Sequence, residues 1–239
     1  MTQGDTMTVA GRTVLLAGAT SPSGLVIARA LSSAGARVIA VGRDQGKLDA
    51  LAAAARPADP ASGDRDAGSI RIERCSLTNE AEVAALADRL AADGVRVDGL
   101  VPLVGGWRGG GGLAGQTEED YRALEQAFTA VRVTSRAFDA DLRASDAGRF
   151  AILSSTAVAR PLAGGANYAA VKAASEAWTR AVAQGFAKAA RDAGEPLRAA
   201  AVVLRVRSLD DVIDAVAARI LALWDEDATE LNDRIVDVA

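Results

Sequence analysis

Short apolar runs alternate with longer helix-patterned segments along the chain, and this alternation restricts the fold more than any other feature. Thr13–Ala17, Arg37–Val41, Ile70–Arg74, Gly99–Val104, Phe150–Leu153, Arg198–Leu204 and Arg234–Val238 read as strands. Helices are expected over Leu25–Ala34, Asp44–Ala55, Asn79–Ala92, Thr117–Ser145, Ala166–Ala193 and about Leu209–Trp224. Apolar strands alternating with helices call for a parallel sheet covered on both faces. The expected architecture is α/β, a doubly wound parallel sheet in one domain spanning residues 1–239. Gly35 would close the first helix, Thr117 with Asp120 would cap the fourth, and Ser208 with Asp211 would cap the last. Residues 1–10 read as a loose leader and Arg56–Ser69 as a mobile, solvated loop. Gly105–Gly115 is too glycine-rich to be regular.

Composition removes several function classes. Half of the residues are apolar and only 4% aromatic, so Ala, Val, Leu and Ile must fill the core. The net charge of −4, with no basic block, argues against a nucleic-acid partner. Histidine is absent, which excludes Ser-His-Asp chemistry and the usual zinc ligands. Cys75 is the single cysteine, so no disulfide framework or thiolate cluster can form. No apolar run approaches the ~18 residues of a membrane span, and the N-terminus lacks a secretory pattern. A cytoplasmic protein with no membrane or metal partner is expected.

Chemistry concentrates in two stretches. Tyr168 and Lys172 are four apart and share a helix face. A neighbouring ammonium would lower the phenol from its usual pKa. Ser155, just past a strand end, would hold a carbonyl where that phenol can protonate it. Earlier, a strand leads into Gly18-Ala-Thr20-Ser21-Pro22-Ser23-Gly24 and then a helix. That layout lets backbone N–H groups and a helix N-terminus hold a pyrophosphate. Each feature alone also has a plain reading: Tyr168 as a half-buried helix residue, Lys172 as a solvated lysine, Ser155 as a strand-end cap, the glycines as an ordinary turn.

Together, the glycine turn, Arg43 after the second strand, and Ser155 thirteen residues before Tyr168 in Y-x-x-x-K resemble the short-chain dehydrogenase/reductase family over about Gly11–Val238. The resemblance implies a Rossmann-like sheet of seven parallel strands with a nicotinamide dinucleotide over the strands' carboxyl ends. It makes Tyr168 the acid/base, Ser155 the carbonyl-orienting hydroxyl and Lys172 the group that lowers the tyrosine pKa and holds the ribose. Cofactor contacts would come from Gly18, Thr20, Ser21, Ser23, Gly24, Arg43, Ser76, Leu77 and Gly105, with Tyr168 and Lys172. Gly42 stands where a carboxylate would accept from a ribose 2′-hydroxyl, and Arg43 beside it suits a 2′-phosphate, with Lys47 as a helper. NADP(H) is therefore favoured over NAD(H). A homodimer or homotetramer through Thr117–Ser145 and Ala166–Ala193 is implied.

The chain also departs from the family pattern. Pro22 replaces the middle glycine of the turn, Ser76 replaces an aspartate, and only Gly105 survives of the family's N-N-A-G. Ala127 stands where an asparagine completes a proton relay. Leu204-Arg205 replaces a Pro-Gly, and almost nothing remains of the substrate lid that follows. An open site is expected, suited to a bulky or carrier-tethered carbonyl substrate. Arg108, Arg205 and Arg207 read as solvated or as facing a substrate anion. Trp107 reads as a stacking surface or as a plug for the lid space. The activity implied is NADPH-dependent interconversion of a ketone and a secondary alcohol. The alternatives are a cofactor-binding sensor or assembly partner with little catalysis, and a non-redox tailoring enzyme (dehydration or isomerisation).

Overall fold

A computed structural model describes residues 8–55 and 67–239. Seven strands form one parallel sheet: β1 (Thr13–Ala17), β2 (Arg37–Gly42), β3 (Ile70–Arg74), β4 (Gly99–Pro102), β5 (Arg149–Ser155), β6 (Ala200–Val206) and β7 (Ile235–Val238). Their order is β3-β2-β1-β4-β5-β6-β7, so the winding reverses between β1 and β4. At such a switch point the loops leaving the strands' carboxyl ends diverge and open a crevice. Val14, Leu16, Val38 and Ala40 belong to the core on one face, and Leu15, Ala17, Ile39 and Val41 to the core on the other. Burial on both faces is what the unbroken apolar runs require.

The helices are α1 (Pro22–Ser33), α2 (Gln45–Ala55), α3 (Glu80–Ala92), α4 (Glu118–Ala144), α5 (Ala166–Ala193), α6 (Ile213–Leu221) and α7 (Ala228–Leu231). None of the described helices is long and apolar enough to cross a membrane. Thr117 caps α4 by accepting from the Asp120 N–H at 3.1 Å, as its sequence position indicated.

Several boundaries differ from expectation, each for a local reason. Helix α1 begins at Pro22 rather than Leu25, because the Ser21 side chain accepts from the Gly24 N–H and proline suits the first helical position. Strand β5 runs on to Ser155, so that residue ends the strand instead of following it. Strand β6 ends at Val206 instead of Leu204, and α6 begins only at Ile213. Val212 precedes α6 without a side-chain cap, so Ser208 and Asp211 do not have the capping role. The leader prediction lies outside the described residues for 1–7, whereas Val9 is buried and accepts from the Arg12 N–H. The expected mobile loop likewise lies outside them for 56–66. Its end is held, since the Ser32 hydroxyl donates to the Gly68 carbonyl and the Val38 N–H to that of Ser69.

Candidate active site

The crevice at the switch point opens into a cleft of about 1370 Å³. One end is the start of α1, where Ser21, Pro22 and Ser23 line it; the other holds Ser155, Tyr168 and Lys172. Local geometry forces the first wall. A side chain at Gly24 would put its Cβ 2.1 Å from the Ala19 carbonyl oxygen, so only glycine lets α1 start this close to the turn. The Gly18 N–H donates to the Val41 carbonyl at 2.9 Å, tying the turn to β2. Pro22 is accommodated at the first position of α1, where its missing N–H is one that the helix leaves unpaired anyway.

The cofactor contacts implied by resemblance fall into two groups. Gly105 lines the main cleft near Ala127 and Lys172: a Cβ placed on it would lie 3.9 Å from each. Arg43 and Ser76 instead line a smaller recess of about 450 Å³ with Arg74, Cys75 and Glu82. Ser76 is engaged there, its N–H donating to a Glu82 carboxylate oxygen at 2.8 Å. Leu77 is buried in the core and lines neither the cleft nor the recess. Thr20 packs on Gly42, where an added Cβ would lie 2.7 Å from the threonine methyl. No larger residue, and so no carboxylate, fits at that position without movement. Arg74, whose Nε donates to the Arg43 carbonyl at 3.3 Å, is a second cation here that the sequence reading passed over.

At the other end, β5 delivers Ser155 and α5 delivers Tyr168 and Lys172 to one wall. Lys172 Nζ donates to the Leu153 carbonyl at 2.8 Å and stands 5.7 Å from the centre of the Tyr168 ring. Burial pulls the Lys172 ammonium down to about 8, against the opposing effect of the Glu176 carboxylate. The phenol differs from expectation: burial raises the Tyr168 pKa, and the Ser155 hydroxyl rather than Lys172 works against that rise. The lysine donates to the Leu153 carbonyl and not to the phenol oxygen.

Arg205 is neither solvated nor aimed at the cleft. Its Nε and a terminal nitrogen bind both oxygens of buried Glu176, at 2.8 and 2.7 Å, and the Ser154 hydroxyl donates to the same carboxylate at 2.6 Å. Glu176 was missed, although it continues the Tyr168–Lys172 spacing by one further turn. Arg108 pairs with Asp120 at 3.3 Å, leaving Arg207 as the one arginine of the three that lines the cleft. Trp107 is 67% exposed at the cleft, so it does not plug the lid space. The connection from β6 to α6 is six residues, Arg207–Val212, and forms no helical lid.

The glycine-rich segment supplies a different rim. Gln116 Nε2 donates to the carbonyls of Gly110, Gly112 and Gly164, while its Oε1 accepts from the Asn167 N–H. One amide thereby fastens the loop to the turn that precedes Tyr168.

A crevice at the switch point, flanked by a helix N-terminus and with Asp210 as its one lining carboxylate among the described residues, fits an anionic dinucleotide. Comparison with known proteins agrees. None of the curated sequences compared with the chain matches it significantly. Solved structures do. A short-chain type dehydrogenase/reductase from Mycobacterium ulcerans is 20% identical, covering 97% of this chain and 89% of its own, with a TM-score of 0.80. A metagenomic short-chain oxidoreductase in complex with NADP is 27% identical over 97% of this chain and 99% of its own, at 0.76. A short chain dehydrogenase from Shigella flexneri 2a, complexed with NADP, is 19% identical over 98% and 99%, at 0.78. A family model described as short chain dehydrogenase matches residues 12–190. The chain therefore belongs to the short-chain dehydrogenase/reductase family, whose members are NAD(P)-dependent oxidoreductases.

Proposed function

We propose that the protein is an NADPH-dependent reductase that interconverts a ketone and a secondary alcohol. The observation that carries this reading is the convergence of Ser155, Tyr168 and Lys172 on one wall of a cleft that begins at the α1 N-terminus. The dinucleotide, when bound, supplies the hydride. Ser155 donates a hydrogen bond to the substrate carbonyl oxygen and steadies the negative charge that develops on it. Tyr168 gives its proton to that oxygen, and its raised pKa keeps the proton available at neutral pH. The Lys172 ammonium favours the phenolate left behind.

NADP(H) is preferred on two grounds. Gly42 carries no carboxylate and Thr20 packs closely against it, and Arg43 with Arg74 offers positive charge beside it. The missing lid and the exposed Trp107 suit a bulky or carrier-tethered carbonyl substrate. The same reading makes the protein a homodimer or homotetramer through α4 and α5. Exposed Ala170, Ala173, Ala177 and Ala181 give α5 a smooth face for close approach, and light scattering would check the assembly.

The test is NADPH consumption with a panel of bulky ketones, with Tyr168→Phe as control. Turnover by the protein and its loss in the variant support the assignment; activity surviving in the variant removes Tyr168 from its role. The competing reading is a dinucleotide-binding sensor with little catalysis, and Ala127 beside Lys172 is the observation in its favour. NADPH binding without reduction of any ketone would establish that reading instead.

A further inference from the structure

Lysine is rare in this chain: Lys47, Lys172 and Lys188 are the only three among 27 basic residues. Arginine stays charged in any protein setting, whereas a buried lysine titrates readily. The one lysine at the cleft is therefore a group whose charge depends on its surroundings.

Among the described residues, Glu176 is the carboxylate whose charge acts on it. On α5 itself, Tyr168 lies one turn before Lys172 and Glu176 one turn after. Strand β5 presents the Leu153 carbonyl and the hydroxyls of Ser154 and Ser155, none of them charged. Strand β6 presents Arg205, already bound to Glu176. From α4, Ala127 and Val131 line this part of the cleft, and Arg132 of that helix lies over the Trp178 ring at 5.5 Å. Arg160, Arg207 and Asp210 also line the cleft, all of them exposed.

The Glu176 carboxylate is well placed to act as a fixed charge. Its side chain is 7% exposed and makes three hydrogen bonds, one from Ser154 and two from Arg205. Burial pushes the carboxyl up, but Arg205, Ser154 and Lys172 together hold it below its ordinary range. It thus remains ionised where a lone buried carboxylate would take up a proton.

We infer that Glu176, anchored by Arg205 and Ser154, is a positioning residue whose carboxylate keeps Lys172 protonated beneath Tyr168. Arg205 occupies the strand end where the family's Pro-Gly would leave no side chain for this purpose. The function rests on the reductase reading above, but the charge coupling itself can be measured without turnover.

The experiment labels the lysine ε-carbons with carbon-13 and follows the three lysine signals against pH by nuclear magnetic resonance, assigning them with Lys47→Arg and Lys188→Arg. In the unaltered protein the Lys172 signal should titrate near 8. In Glu176→Gln its midpoint should fall by about one unit, because the anion is lost and Arg205 is left as an unopposed cation. That variant buries an unpaired charge and is liable to unfold. The double variant Glu176→Gln/Arg205→Gln removes both charges and should show a smaller fall in the same direction. A midpoint that is unchanged or higher in either folded variant overturns the inference, even if melting temperature drops, since a purely structural role would leave the titration in place. The alkaline limb of the kcat/KM profile for ketone reduction should move with the midpoint. A moving midpoint in a protein that reduces no ketone would uphold the coupling while refuting the reductase reading.

Discussion

The Gln116 amide nitrogen donates to the Gly164 carbonyl at 3.0 Å, joining a glycine-rich loop to the turn that feeds the Tyr168 helix. With two further carbonyls on the same nitrogen, this side chain ties the glycine-rich loop to the rim of the cleft.

Gln116→Ala should therefore free the loop. We expect faster amide exchange across residues 105–115, a KM for bulky ketones raised several-fold and a smaller change in kcat. Unchanged exchange would show that the loop holds itself in place without the clamp.

Arg43→Ala should weaken NADPH binding by about tenfold or more, in line with the loss of a charge-assisted hydrogen bond to phosphate, and leave NADH binding nearly unaltered. Fluorescence titration of both dinucleotides reads the difference. Equal losses for the two would mean that Arg43 shapes the loop and does not read the 2′-phosphate.

Lys172 carries a pH-dependent cost of burial. Its folded-state pKa of about 8 lies below the ordinary 10.5, so between those values the unfolded chain binds more protons than the folded one. Stability therefore rises with pH through this window, and the full cost of burying the ammonium is present below about pH 8. Lys172→Met should raise stability at pH 7 by on the order of 1 kcal/mol, with the gain shrinking toward pH 10, while abolishing turnover. Thermal melts at the two pH values check this. A variant less stable at pH 7 would show that the hydrogen bond to Leu153 outweighs the cost of burial.

Arg149 is the largest buried cation, 1% exposed and pulled down to about 10 by burial. It is held by the carbonyls of Leu223, Gly148, Arg198 and Glu226. Arg149→Met would leave those acceptors unpaired, and a loss of more than about 2 kcal/mol is expected in denaturant unfolding. A neutral result would mean that water replaces the guanidinium.

Much of the fold was legible in the sequence because the signals are local. The apolar runs of the central strands are strands buried on both faces, and Thr117 announces α4 because a cap acts within three residues. The Ser155, Tyr168 and Lys172 spacing likewise needs only one strand and one helix to bring the groups together. Some local signals were available and read wrongly. Ser21-Pro22 is a cap followed by a first-turn proline, and it starts α1 three residues before the expected Leu25.

What local signals do not carry is which distant side chains meet. Arg205 reads as solvated on a strand end, yet the register of β6 beside β5 sets it against Glu176, 29 residues away in the chain. Gln116 is an unremarked polar residue until the approach of Gly164, 48 positions on, gives it a partner. The amino-acid order by itself determined the parallel sheet, the glycine turn before α1 and the shared face of Tyr168 and Lys172 on α5, all governed by short-range periodicity and spacing. Only the tertiary structure decided the charge setting of Lys172 and the rim of the cleft. Both depend on burial and on hydrogen bonds between elements, which exist only once the sheet has brought those elements together.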